Sequence, residues 1–503
     1  MFTPQFTRQS GIALALIAQT TFAQLSANQS PKVDANPFLS PYTTPHQTPP
    51  FDKITNAYYL PGLRAGLAQG RNQVLAISTN PAKPTFENTI VALERSGDLL
   101  NRVSSVMFNL KEAETTPELQ KIVKEASPLL TEYTNDMMLN ALLYARVKSV
   151  YDQRSRLKLN TESGTLLEKT YRGFVRNGAN LDAGGKDRLR VIDRDLAQLE
   201  LQFSENLLTE TNGYSMTVTD EKDLAGLPDY VREAAKTTAK QQGKAGYVFT
   251  LQAPSFSPFL KYADNRALRQ ELYRAYYSRC YHGDKNDNSA IIEKIINLRY
   301  ERANLLGYKT HADFVLEERM AGSREKVQSF LDELVGYARP AAQRQLIELT
   351  TYAKAHGFTD DKLQAWDNTY YAEKLKKEKY DIDDEVLKPY FKLENVLNGA
   401  FMVANKLYGI TFKERTDIPL YNPEVKTFDM FDKDGTFLAV FYGDYFPRAG
   451  KGGGAWMNVL QGQKIENGQN TRPHILNVCN FTRPTDTKPA LLTFYEVTTL
   501  FHE

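Results

Sequence analysis

Cysteine is scarce. The 503 residues hold two, Cys280 and Cys479. They lie far apart and outside any C-x-x-C pattern. This excludes a disulfide framework and a zinc knuckle, and leaves buried free thiols as the reading. No stretch is long and apolar enough for a membrane helix. Neither sign of charge dominates: 62 basic residues face 60 acidic ones, for a net charge of +2. Without a basic run the chain has no electrostatic footprint for nucleic acid. No G-x-S-x-G is present, so a serine nucleophile has no support. No repeat of fixed period appears, which argues against a solenoid. Histidine is also sparse, at six. His46 lies in a Pro-rich stretch, and His282, His311 and His356 fall near helix ends or turns. His474 opens a strand-like run, leaving His502 as the one with a partner motif.

What is there is ordinary globular material, with 42% hydrophobic and 24% charged residues. At this length two or more lobes are expected. Residues 1–27 read as a secretory signal peptide. Arg8 precedes a short apolar core, Gly11 to Ala18, and Thr21-Phe22-Ala23 or Leu25-Ser26-Ala27 offers a cleavage pattern. The alternative is a disordered extension. Residues 28–50 are rich in Pro, Ser, Thr and Asn and read as an extended arm or linker, too polar to build a core of its own.

Residues 51–375 are predicted to be a helical domain. Leu189, Ile192, Leu196, Leu199 and Phe203 recur at steps of three and four, which predicts a long amphipathic helix. Val327, Phe330, Leu331, Leu334 and Val335 repeat the pattern after Ser323, an N-cap residue, until Pro340 disturbs it. Ser289 precedes a third such run, with Gly307 as its stop. Tyr247 to Leu251 reads as a short strand.

Residues 376–503 read as a second unit. Thr427 to Phe431 and Thr436 to Tyr442 are β-prone runs joined by Asp432-Lys-Asp-Gly435, which is hairpin chemistry. An EF-hand is excluded, because Phe437 stands where its loop requires glycine. Gly452 to Leu460 and Ile475 to Phe481 are two more strand candidates. Gly450-Lys-Gly-Gly-Gly-Ala455 matches G-x-G-x-x-A, but no helix opens after it, so it is not a phosphate loop. Its small residues suit an edge that an extended peptide joins as an extra strand. A ligand-free loop is the competing reading from spacing alone.

The last fifteen residues are the most informative. Thr493 and Glu496 make a capping box, and Leu492 and Val497 hold the positions of a hydrophobic staple, so a helix starts at Phe494. His502-Glu503, two turns along, is the first half of H-E-x-x-H, in which two His bind zinc and the Glu acts on water.

The sequence resembles the thimet-oligopeptidase-like zinc metallopeptidases, particularly their bacterial peptidyl-dipeptidases. The stretches that carry this are Asn36 to Ile54, Pro84 to Gly97, Leu305 to Phe314, Tyr445 to Trp456, His474 to Phe481, and L-L-T-F-Y-E-V-T-T-L-F-H-E. The resemblance implies a mainly α, two-lobed zincin-like fold with a small sheet before the zinc helix. It implies one Zn2+ per full-length chain, with His502 as a metal donor and Glu503 as the catalytic base that later returns the proton to the leaving amine. Gly453, Gly454 and Ala455 would line the substrate cleft. Implied partners are short unfolded peptides that lose C-terminal dipeptides. No nucleic acid or membrane partner is expected, and the protein is expected to be an exported, periplasmic monomer, or cytoplasmic if the leader is kept. The second His and the third ligand would follow Glu503. The chain as written is therefore expected to be a fragment that binds no catalytic zinc, with Leu500 and Phe501 left exposed. The alternatives are a non-catalytic peptide-binding protein and an oligopeptidase that cuts internally.

Overall fold

The computed structural model describes residues 36–466 and 468–503. The signal-peptide reading lies outside them.

Most of the described chain is helical. Helices Asn56–Ser78 (α1), Asp98–Ala113 (α2) and Pro117–Met138 (α3) pack side by side. Close approach rests on glycine. A Cβ on Gly66 would sit 2.8 Å from the Leu100 Cα, and one on Gly70 would run into the Tyr133 hydroxyl. Thr116 caps α3 by accepting from the Leu119 amide, with Pro117 at the first helical position. The predicted long helix is Ala183–Gly213 (α4), capped by Asp182, with Leu189 and Ile192 fully buried. Ser215–Val218 (β1) and Tyr247–Thr250 (β2) pair antiparallel. The partner β1 has too short an alternation to be read beforehand.

Helices Ser289–Leu305 (α5) and Arg324–Ala355 (α6) follow. Ser323 caps α6 as predicted, whereas α5 starts at Ser289 itself, after Asn288. Pro340 does not end α6, which runs 32 residues through it. A mid-helix proline forfeits one backbone bond, to the Gly336 carbonyl, and the remaining turns hold. The apolar run on α6 was expected to be a buried face. Phe330 is instead 60% exposed, and Leu331, Leu334 and Val335 are exposed with it. Periodicity reveals a face suited to packing but not whether a neighbour covers it.

Leu393–Tyr408 (α7) leads into a five-stranded sheet. Its strands are Thr411–Arg415 (β3), Lys426–Phe431 (β4), Phe437–Asp444 (β5), Trp456–Gln461 (β6) and His474–Val478 (β9). Lys464–Glu466 (β7) and Gln469–Thr471 (β8) form a side hairpin. The order is β3-β4-β5-β9-β6, with β5 and β9 parallel and the other pairs antiparallel, so β6 is an edge. The β4–β5 hairpin turns at Asp432–Gly435 as predicted, and Gly435 takes a positive φ of 83°. The chain ends in Phe494–His502 (α8), which begins where the capping box placed it.

One core joins the two predicted units. Leu63, Val103, Met107 and Val123 of the helices meet Val440, Tyr442, Leu476 and Val478 of the sheet. The arm joins it too. Phe38 is fully buried in this cluster, worth about 1.5–3 kcal/mol of burial. The arm's polar groups find partners within the arm and on α1: Asn36 accepts from the Phe38 amide and donates to the Tyr58 carbonyl. Composition suggested a linker because it counts polar residues without seeing the partners that α1 and the sheet supply.

Candidate active site

The site is built where β5, the loop before β6 and the segment after β9 converge. At the end of β5, Asp444 is fully buried. Its carboxylate accepts from Lys451 at 2.7 Å, from Arg448 at 2.9 and 2.6 Å, and from the Tyr421 hydroxyl at 2.7 Å. Burial raises the Asp444 carboxyl, but Arg448 and Lys451 outweigh it and hold the group below the usual range. The Lys451 ammonium also donates to the carbonyls of Phe446 at 2.6 Å and Cys479 at 2.9 Å. Burial pushes Lys451 down to about 8 against the pull of Asp444. Its donors are enclosed in a cage of acceptors.

This cage pulls the glycine-rich loop into shape. Thr115 donates to the Gly450 carbonyl at 2.7 Å, and Gly452 donates to the Glu112 carbonyl at 2.8 Å. The loop is thus tied to the end of α2. Gly453 and Gly454 face solvent, and Gly454 takes a φ of 93°. The strand expected from Gly452 begins only at Trp456. A loop curled around a caged lysine cannot hold the pleat, so Gly453, Gly454 and Ala455 lie in the turn ahead of the edge strand. Further along, α2 covers that edge: Asn109 donates to the Val459 carbonyl and Ser105 to the Leu460 carbonyl. A groove of about 1410 Å³ runs here between α2 and β6, with Glu112, Asn458 and Gln461 in its wall.

The segment after β9 carries the connection onward. Cys479 donates to the Asp444 carbonyl and Phe481 to the Tyr445 carbonyl. Thr482 donates its amide to Glu496 at 2.6 Å and its hydroxyl at 2.9 Å. Glu496 closes the predicted capping box by accepting from the Thr493 amide at 2.8 Å. The staple forms as well, with Leu492 fully buried and Val497 packed on the same cluster. Leu500 also packs there, contrary to its expected exposure, because it shares the buried side of α8 with Val497. Phe501 is 49% exposed, as expected.

His502 is exposed at the end of α8, and Glu503 follows it. Among the described residues no three His, Cys, Asp or Glu side chains converge as a metal site. One imidazole and one carboxylate do not fit a three-ligand zinc centre by themselves. The structure brings the glycine loop and α8 to one sheet through residues 479–482. His474 stays apart from them: it is buried, and its ring bonds the His46 carbonyl. Both cysteines are buried free thiols, as expected. Lys451, Asp444, Arg448 and Asn480 went unassigned in the sequence. Three of them stand inside the Tyr445–Trp456 and His474–Phe481 stretches, and a lone lysine amid glycines was the signal available.

The model for peptidase family M3 matches residues 259–503. The chain is 40% identical to a dipeptidyl carboxypeptidase of Escherichia coli, over 93% of this chain and 69% of that protein. It is 38% identical to an E. coli oligopeptidase A, over 92% of this chain and 69% of that one. An organellar oligopeptidase A of Arabidopsis thaliana is 33% identical, over 94% and 60%. The chain belongs to peptidase family M3.

Proposed function

We propose that this chain is the peptide-binding and metal-helix part of a zinc peptidase that releases C-terminal dipeptides from short, unfolded peptides. The observation that carries the reading is the pairing of His502-Glu503, on a capped helix, with an exposed glycine loop on the same sheet. The 40% identity to a dipeptidyl carboxypeptidase supports the dipeptide-releasing activity. In this reading His502 would be one donor to a zinc ion, whose chemistry when bound would be Lewis acidity toward the scissile carbonyl. Glu503 takes a proton from the attacking water and returns it to the leaving amine. The loop at Gly453, Gly454 and Ala455 holds the peptide backbone. The described residues bring no further donors to His502, so we propose that they do not hold a catalytic zinc by themselves. We further propose an exported, monomeric protein.

Joining the chain at Glu503 to the segment that follows the matched part of the E. coli dipeptidyl carboxypeptidase tests this. The hybrid should release dipeptides from a peptide with a free carboxylate and spare its C-terminally amidated form. Equal internal cleavage of both would favour an oligopeptidase, a reading that the 38% identity to oligopeptidase A also supports. A zinc-loaded hybrid that binds peptide without cutting it would favour a non-catalytic binding protein.

A further inference from the structure

Two carbonyls of the glycine loop converge on one nitrogen. Asn480 Nδ2 donates to the Gly452 carbonyl at 2.9 Å and to the Gly454 carbonyl at 2.8 Å. An amide NH2 has two donor hydrogens, and both are used here. With these carbonyls turned toward Asn480, the N–H groups of Gly453 and Gly454 have no hydrogen-bond partner among the described residues. A Cβ at either glycine would meet nothing within 4 Å. The loop therefore presents open backbone donors in open space, as backbone recognition of a peptide requires.

Asn480 also sits inside the strap that joins this loop to α8. One residue before it, the Cys479 carbonyl accepts from the caged Lys451. Two residues after it, Thr482 donates twice to Glu496 at the start of α8. A short segment held at both ends sets the separation of what it connects.

We propose that Asn480 is a positioning residue for peptide binding. It turns the Gly452 and Gly454 carbonyls inward, directs the intervening donors outward, and fixes the loop relative to the helix that carries His502 and Glu503. This rests on the peptide-binding reading of the loop.

The test is fluorescence anisotropy of a fluorescein-labelled decapeptide of Ala, Ser and Lys with a free carboxylate. It is titrated with the 503-residue chain and with its Asn480→Asp and Asn480→Leu variants at pH 7.5 and pH 5, alongside melting temperatures. Both substitutions remove two hydrogen bonds and should weaken binding at least about tenfold at pH 7.5. A carboxyl facing two carbonyl oxygens is raised in pKa, and once protonated it donates again. Asn480→Asp should therefore regain about threefold or more at pH 5, relative to the unsubstituted chain, while Asn480→Leu should not. A merely structural role would lower both melting temperatures without separating the two pH profiles. Unchanged affinity in either variant, or matching profiles, overturns the proposal. If the unsubstituted chain binds no peptide at either pH, the peptide-binding reading fails and this inference fails with it.

Discussion

Thr482 donates its backbone amide to the Glu496 carboxylate at 2.6 Å, so the cap of α8 is also its anchor to the sheet. One side chain accepts from the amide of the capping residue and fixes where the helix lies. Replacing Glu496 by Ala removes both functions. The Thr493 hydroxyl keeps its bond from the residue 496 amide, so the loss is that of the bonds from Thr493 and Thr482 to the carboxylate, about 1.5–3 kcal/mol each. Amide hydrogen exchange should accelerate over Phe494–His502 in Glu496→Ala while α1 and α2 keep their protection. Unchanged exchange in α8 would show that the helix is held from elsewhere.

The cage around Lys451 gives a second expectation. Lys451→Met leaves Asp444 paired with Arg448 but strips the carbonyls of Phe446 and Cys479 of their donor. With Asp444 still paired, the cost is that of buried carbonyls left without a donor, about 1–3 kcal/mol each. Chemical denaturation should register a loss of that order.

Two glycines of one loop should behave oppositely. A Cβ on Gly450 would overlap the Thr115 carbonyl oxygen, whereas one on Gly453 would enter open space. Gly450→Ala should lose about 1–3 kcal/mol through overpacking. Gly453→Ala should stay within about 0.5 kcal/mol and weaken only peptide binding. Equal stability of the two variants would contradict the loop geometry.

Acid stability should depend on His474. Burial pushes its pKa down to about 4, only partly opposed by its bond to the His46 carbonyl. The unfolded chain takes up this proton near pH 6.5 and the folded chain only near pH 4. Between those values the unfolded state binds more protons, so stability falls as pH falls, by up to about 3 kcal/mol from this group. His474→Gln keeps a donor toward the carbonyl and removes the titration. Its stability should fall less steeply from pH 6.5 to 4 than that of the unsubstituted protein.

The arm should prove integral. Phe38→Ala empties a fully buried position and should cost about 3–5 kcal/mol by denaturation. A loss within experimental error would return the arm to the status of a linker.

Local signals carried much of this. Thr493 and Glu496 announced the start of α8, Asp432–Gly435 announced the hairpin, and Leu189 and Ile192 announced the buried side of α4. Each depends on neighbours within a few residues. The Lys451 cage joins the end of β5 to the segment after β9, and no spacing rule marks Asp444 or the Cys479 carbonyl as its members. The exposed side of α6 fails for the same reason, since Phe330 and Leu334 look identical in sequence whether or not a partner covers them. Gly453 and Gly454 were legible as a place without bulk, but not as a turn, because the bonds of Lys451 to Asp444, Phe446 and Cys479 that bend the loop are not visible in its sequence.

The central proposal is that His502 and Glu503 belong to a zinc site whose other donors are not supplied among the described residues. Metal content by mass spectrometry, measured with cleavage of a quenched decapeptide after zinc loading and dialysis, tests it most directly. The account predicts zinc well below one equivalent and no cleavage. One bound zinc per chain with turnover would contradict it.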